Sequence, residues 1–484
     1  MTRRLRLHPT RHERLRLCSA VITLVSAATL RGCAVGPDFV TPPPPEVARF
    51  TPERTASPGN RQRFVEGRDI PRNWWWAFGS KPLADLVQQA IDHNPTLEAA
   101  EAAIRVAHYN AEAQKGASLP QLSGSSYSTM GVASNEAAGA TAQPLYTLFT
   151  KQLVVSFTPD IWGGNFRSVE SLEAQTEIQR YQLEAAYLTL TSNVVIAAIE
   201  EASLRAQIAT IKNIIGIEKD LLALSKRQLA YGAVSGVDVA AQETALLQAE
   251  EILPPLEKAL ARQRDLLTAL AGRYSSDEIG ETFELGRLSL PLEVPLSLPS
   301  QLVARRPDIK AAAANVHSAD ALVGVAIAAR LPNITLSAGG GSSALQFSQL
   351  FTPGTGFYFL AANAAQPIFD GMTLLNKEQA AEASLALAEA QYRATVINAF
   401  QNVSDALRAL QSDAHAVKVA AKAEQTANHS LDLVRRQARF GEVDQLAVLN
   451  AEQAYLQTSI VRVIAESTRL SDTAALFMAL GGGW

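Results

Sequence analysis

The chain has 484 residues, of which 47% are hydrophobic, 6% aromatic and 19% charged, and 43 Lys and Arg stand against 47 Asp and Glu for a net charge of −4. That balance excludes a basic nucleic-acid binder and an acidic tail protein, and the length fits about three domains of ordinary size. Two cysteines exclude a disulfide framework and a multi-cysteine metal site, and the 7 histidines fall at no metal-ligand spacing.

Residues 1–32 have the pattern of a secretory signal. Arg3, Arg4, Arg6, Arg11, Arg14 and Arg16 form a basic start, and residues 17–30 form an apolar stretch too short to span a membrane as a helix. The segment ends Leu30-Arg31-Gly32-Cys33, which resembles a bacterial lipobox: a small residue precedes the cysteine whose thiol takes a diacylglycerol. Cys33 is therefore the expected lipidation site and first mature residue, with ordinary signal cleavage nearby as the alternative. Loss of seven Arg and one Glu with the signal shifts the net charge from −4 to −10. Ala34 follows, without the Asp that marks inner-membrane retention, so an outer-membrane anchor is expected. Lipid chains on one Cys supply that anchorage.

Residues 33–72 are Pro-rich and polar and predict an extended linker. From 73 the chain alternates two chemistries. No Pro lies between Pro159 and Pro254 or after Pro367, only Gly216 lies in 165–231, and no Gly lies in 372–440. Rich in good helix formers, these stretches predict helices over about 163–231, 235–271, 371–440 and 444–479. Helices of such length need a coiled-coil setting. The last one carries apolar residues three and four apart, from Leu446 and Leu449 through Leu456 and Ile460 to Phe477. Leu246, Ala249, Leu253 and Leu256 show the same spacing, with Pro254 and Pro255 predicting a kink or break.

Residues 331–369 and 116–135 contain no charge, and they alternate with period two, as in Leu153, Val155 and Phe157. They predict hairpin strands at about 118–130 with 146–159, and at about 332–347 with 356–369. A pair of soluble hairpins is the alternative to a membrane barrel. The mature chain has no run of 18 apolar residues, which leaves a barrel as the expected way across a bilayer.

The chain also repeats. LPQLSGSSYS (119–128) answers LPNITLSAGG (331–340), and RQLAYGAVSGVDVAAQ (227–242) answers RQARFGEVDQLAVLNAEQ (436–453), at offsets of 212 and 209 residues. Repeats over 73–300 and 301–484 then each contribute two strands. Four strands cannot close a barrel, for which about eight is the minimum, so oligomerisation follows; three copies give twelve strands. The fold class expected is mainly α, with duplicated long coiled-coil helices and four β-strands per chain that close a 12-stranded barrel in a trimer.

The start Cys33-Ala34-Val35-Gly36-Pro37-Asp38-Phe39, the stretch NWWWAFGSKPLADLVQQAIDHNPTLEAA (73–100), the stretch beginning LVARRPDIKAAAANVHSADALVG (302–324) and the terminal ALGGGW (479–484) together resemble the TolC-like outer-membrane efflux proteins. Within these the likeness is to the lipoprotein outer-membrane-factor branch of OprM/NodT type, and it covers nearly all of 33–484. The resemblance implies a homotrimeric, passive conduit in the Gram-negative outer membrane that extends into the periplasm. It implies an inner-membrane pump and a periplasmic adaptor as partners, with drugs or other small molecules as cargo. It implies no enzyme activity, no cofactor beyond the lipid on Cys33, no metal and no nucleic acid. A conduit for protein secretion of the type I kind is the alternative function, and a periplasmic coiled-coil scaffold a third.

Under that resemblance the gate sits where the helices turn. Gly232, Gly236 and Gly441 mark the turns; Asp238, Gln242, Asp444, Leu446, Asn450 and Gln453 surround them. The family's inward-facing acidic ring aligns with Asn450 here, and a basic neighbour aligns with Gln453, so an amide ring with Leu446 as apolar plug is the expected substitute. A solvated cap residue near a helix start is the alternative role for Asp238, Asp444 and Asn450. Trp74, Trp75 and Trp76 are expected to pack on helices, Asp308 to cap a helix or pair with Arg305 or Arg306, and Gly339–Gly341 to form a bulge or loop. His93, His108, His317, His415 and His429 are expected to be structural.

Overall fold

The computed structural model describes residues 34–47, 49–53, 57, 59, 62–132 and 145–483. The signal segment and Cys33 lie outside the described residues, so the lipidation expectation is not addressed by them. In chain order the elements are β1 (Arg63–Glu66), α1 (Lys81–His93), α2 (Pro95–Gly116), β2 (Gln121–Val132), β3 (Leu145–Phe157), α3 (Gly164–Ala230) and α4 (Gly236–Leu270). They continue with β4 (Glu293–Leu296), α5 (Pro299–Arg305), α6 (Pro307–Ala328), β5 (Asn333–Ala344), β6 (Gly356–Ala365), α7 (Thr373–Arg439) and α8 (Gln445–Ala479). Helices α3 and α7 each have 67 residues, about 100 Å at 1.5 Å per residue. β6 ends short of the expected 369 because Pro367 has no N–H to give a ladder.

Two compact units divide the chain. The first, Met1–Thr41 with Ile104–Ile178 and Ala313–Gln391, contains a four-stranded antiparallel sheet in the order β2-β3-β5-β6. Its register separates two chemistries. One face carries the rows Leu122–Val155–Ala338–Leu360 and Gly124–Leu153–Gly340–Tyr358; the other carries Gln121–Ser156–Ser337–Ala361 and Tyr127–Thr150–Ser343. Leu122 is 68% exposed and Leu360 81%, so the apolar face lies uncovered by the described residues. Gly339, Gly340 and Gly341 form no bulge or loop: they sit in β5 in unbroken register. A side chain at Gly341 would strike the Lys151 carbonyl, and one at Gly339 the Phe359 ring, so glycine here permits close strand approach.

The residues just after Cys33 are tied down, contrary to a free linker. Val35 N–H donates to Trp162 O at 3.0 Å, and the buried Arg167 guanidinium donates to Val35 O and pairs with Asp38 at 2.7 Å. His317 stacks on Phe39 at 4.3 Å and meets Glu170 at 2.9 Å, a packing role.

The second unit, Pro42–Ala103 with Gln179–Ala312 and Tyr392–Trp484, is helical apart from a two-stranded parallel sheet. In that sheet β1 pairs with β4, Phe64 opposite Val294, so the linker expected over 33–72 contributes a strand. Trp74 and Trp75 are buried, Trp74 lying 5.3 Å from Phe477, while Trp76 is half exposed. Arg306 forks onto Asp308 and donates to Ala479 O at 2.7 Å. Pro254 and Pro255 do not break α4, which continues to Leu270. Both prolines are exposed, where water can take the carbonyls they leave unbonded.

One described helix, Pro307–Ala328, is long and apolar enough to cross a membrane by length and composition, though it holds no unbroken run of 18 apolar residues. Its apolarity comes largely from alanine, and it carries Asp308, Lys310, His317 and Asp320.

Candidate functional site

The ends of hairpins α3–α4 and α7–α8 are built by one local recipe used twice. Each first helix stops on a left-handed glycine, Gly232 or Gly441, both at φ 72°. The next N–H closes back over the turn, Ala233 to Gln228 O at 2.9 Å and Glu442 to Gln437 O at 3.0 Å. Three residues after each glycine stands the cap of the second helix, Ser235 or Asp444. Asp444 accepts from Ala447 N at 2.9 Å. Ser235 accepts from Asp238 N while its own N–H donates to Asp238 Oδ2 at 2.8 Å, a reciprocal capping box. The Ser235 hydroxyl, and then its N–H, hold the Asp238 carboxyl below the ordinary aspartate range. Gly236, expected in the turn, is instead the first residue of α4.

Asp444 therefore serves as a helix cap, and Asp238 as the carboxylate partner of the Ser235 cap. The remaining candidates separate differently. Leu446, Asn450 and Gln453 come together along a groove of about 310 Å³ between α4 and α8, where Leu446 is 58% exposed and both amides are exposed. Gln242 is fully buried and donates Nε2 to Glu218 Oε2.

Glu218 and Glu452, which also line the groove, carry its electrostatics. Both are buried, on α3 and α8 respectively. Arg435 of α7 pairs with Glu452 Oε1 at 2.9 Å, whereas the buried Glu452 Oε2 has no donor of its own among the described residues. Burial, and then the facing Glu452 carboxylate, push Glu218 up to about 7; Gln242 and Arg435 oppose this. A proton held by Glu218 can be donated to Glu452. Side chains of four helices thus converge on one buried carboxyl cluster. Around it Ile211, Ile214, Ile215, Leu222, Val239 and Leu246 form a buried apolar seam. A second pair, Asp413 of α7 and Asp472 of α8, behaves likewise, burial and the Asp472 contact raising Asp413 to about 7.

The composition did not point to Glu218 or Glu452, but the spacing holds a signal. Arg435 and Glu452 stand 209 residues after Lys226 and Glu243, the repeat offset, so the cross-helix pair of the first hairpin marks the place of the second. Among the described residues no group of three or more His, Cys, Asp or Glu converges as a metal site.

A charge-poor sheet with one apolar and one polar face, together with duplicated helix hairpins, is the architecture of the outer-membrane efflux channels. The family model described as "Outer membrane efflux protein" matches residues 86–273 and 298–482, one match per repeat, and the chain belongs to that family. Among curated relatives, the pyoverdine export outer membrane protein OpmQ of Pseudomonas putida is 27% identical over 450 residues, covering 92% of this chain and 94% of OpmQ. The toluene efflux pump outer membrane protein TtgC, also of Pseudomonas putida, is 26% identical over 468 residues, covering 95% and 94%. Among solved structures, the outer-membrane channel OprN superposes with a TM-score of 0.84 at 22% identity, over 93% of this chain and 100% of OprN, a likeness of fold.

Proposed function

We propose that this chain is the outer-membrane channel of a tripartite efflux system, a passive trimeric conduit for small molecules that works with a periplasmic adaptor and an inner-membrane pump. The observation that carries the reading is the sheet. Among the described residues its two edge strands, β2 and β6, pair on one side only, and one face is apolar from edge to edge. In lipid every backbone N–H and C=O needs a partner, so such a sheet is an arc of a closed barrel. Three arcs give twelve strands, with the polar rows of Gln121, Tyr127, Thr150 and Ser337 facing the lumen. The relatives named for pyoverdine and toluene differ in cargo, which fits a wide conduit whose selectivity lies in the pump.

Anchorage in this reading comes from a lipid on Cys33; Cys33→Ser yields a product without the lipid mass. The gate is the hairpin tip. With Asp238 and Asp444 used in capping, the constriction is an amide ring of Asn450 with Leu446 as its apolar plug. The carboxyl cluster of Glu218 and Glu452 latches the two hairpins behind it. Single-channel recording in planar bilayers tests this placement. Asn450→Asp sets three like charges on the axis and raises cation over anion selectivity; unchanged selectivity removes Asn450 from the constriction.

A further inference from the structure

From the base of the sheet upward, the apolar face is free of charge through the rows Phe157–Leu336–Ala362, Leu122–Val155–Ala338–Leu360 and Gly124–Leu153–Gly340–Tyr358. The next row is Ser126–Lys151–Ser342–Gly356, and Lys151 is the first ionised group on that face. The lower margin is set by Ile368 and Phe369, 99% and 85% exposed. Ile368 and Tyr358 are ten residues apart, with β6 accounting for the chain from Tyr358 to Ala365; as strand at barrel tilt that spacing rises about 25 Å, the height of the apolar band of a bacterial barrel. Lys151 therefore stands one row above the band. The helices of this unit all leave from the opposite end of the sheet, at Gly116, Gly164, Ala328 and Thr373.

The ammonium is held there by design of the neighbouring loop. Lys151 Nζ lies 5.0 Å from the Phe347 ring centroid and 5.2 Å from that of Phe351. Phe149, one row higher on the same strand, packs edge-on against Phe347 at 5.9 Å. Phe351 and Tyr358 are 79% and 86% exposed. Aromatic rings at this level mark the boundary between hydrocarbon and headgroups. They fix the cation by its charge and leave it unneutralised, and no carboxylate pairs with Lys151 among the described residues.

We infer that Lys151, in its cradle of Phe347 and Phe351, is a docking point for the phosphate of an outer-leaflet lipid, the phosphorylated saccharide headgroup of lipopolysaccharide. The inference rests on the channel reading, which turns the Lys151 end of the sheet toward the cell exterior. A fixed cation at headgroup level on a lipid-facing wall is complementary to a phosphate and to little else available there. Each copy of the chain brings one such point, so a closed barrel is pinned to the outer leaflet around its rim.

The test reconstitutes the full-length lipidated protein into phosphatidylethanolamine vesicles. These contain lipid A, dephosphorylated lipid A or neither, and the thermal midpoint of strand loss is followed by circular dichroism after flotation. Lipid A is expected to raise the midpoint by several degrees for the wild type and for Lys151→Arg, and to leave Lys151→Gln unmoved; dephosphorylated lipid A is expected to raise none. An equal rise for Lys151→Gln, or an equal rise with dephosphorylated lipid A, overturns the inference. So does the same rise with inorganic phosphate alone, which would make Lys151 a free-ion site. Failure of the wild type to float with any vesicle overturns the channel reading itself, and this inference with it.

Discussion

Hairpin α3–α4 carries three cross-helix ion pairs, Lys212–Glu257 and Lys219–Glu250 at 2.9 Å and Lys226–Glu243 at 3.9 Å, each set seven residues from the next and each exposed. In hairpin α7–α8 the position of Lys226–Glu243, displaced by the repeat offset of 209, is held by Arg435–Glu452 at 2.9 Å, with Glu452 only 5% exposed. The two halves keep the same glycine turn and the same heptad pairing. They have diverged in where the pairing lies: solvated on the first hairpin, and on the second buried against Glu218 of the first. Surface pairs of the first kind register two helices and contribute little energy. A buried pair of the second kind is costly to break and answers to protonation. Duplication supplied the scaffold, and burial of one copy of the pair turned it into a latch.

Breaking the pair on each hairpin separates these roles, with hydrogen exchange of the tip amides in the assembled protein as the common readout. Arg435→Met strands the Glu452 carboxylate in the groove and is expected to cost about 3 kcal/mol of local stability, exposing the α8 start to exchange. Glu218→Gln acts through pH. A carboxyl raised from its ordinary 4.5 to about 7 holds its proton in the folded tip and loses it when the tip opens. Tip stability is therefore full below about pH 4.5 and is lost as pH rises toward 7, at no more than about 1.4 kcal/mol per pH unit for one proton. Glu218→Gln should flatten that slope and protect the tip at neutral pH; an unchanged slope would remove Glu218 as its source. Gly232→Ala and Gly441→Ala should each cost about 1 kcal/mol and by equal amounts, because both sit at φ 72° with open space around the added methyl. Lys219→Ala should cost under about 0.5 kcal/mol and nothing at high salt. A large effect there would erase the distinction between the hairpins.

The elements with one uniform chemistry were legible in the sequence. Stretches without glycine or proline became α3 and α7, and the uncharged alternating stretches became the four-stranded sheet, because composition and period act locally. What escaped depends on partners distant in sequence. Strand β1 is four residues, RFVE, and exists because Glu293–Leu296 lies alongside it, about 230 residues on. The triple glycine of β5 suggested irregularity, yet it answers to the closeness of β3 and β6, which only the register reveals. Pro254 and Pro255 suggested a break, whereas the packed seam on either side of them keeps α4 continuous. At the helix turns, Asp238 and Asp444 are acidic residues beside a helix start, and that position is what gives them their capping roles. Glu218 and Glu452 gave no local sign. A carboxylate in a polar heptad position looks solvated until a second hairpin closes over it.

The claim that most depends on assembly is that this sheet is one third of a closed barrel. Native mass spectrometry of the full-length, membrane-extracted protein in mild detergent measures it directly. A particle holding three copies of the chain is the expected outcome; a particle of one copy, or of two, would leave β2 and β6 without the neighbours their open backbone requires.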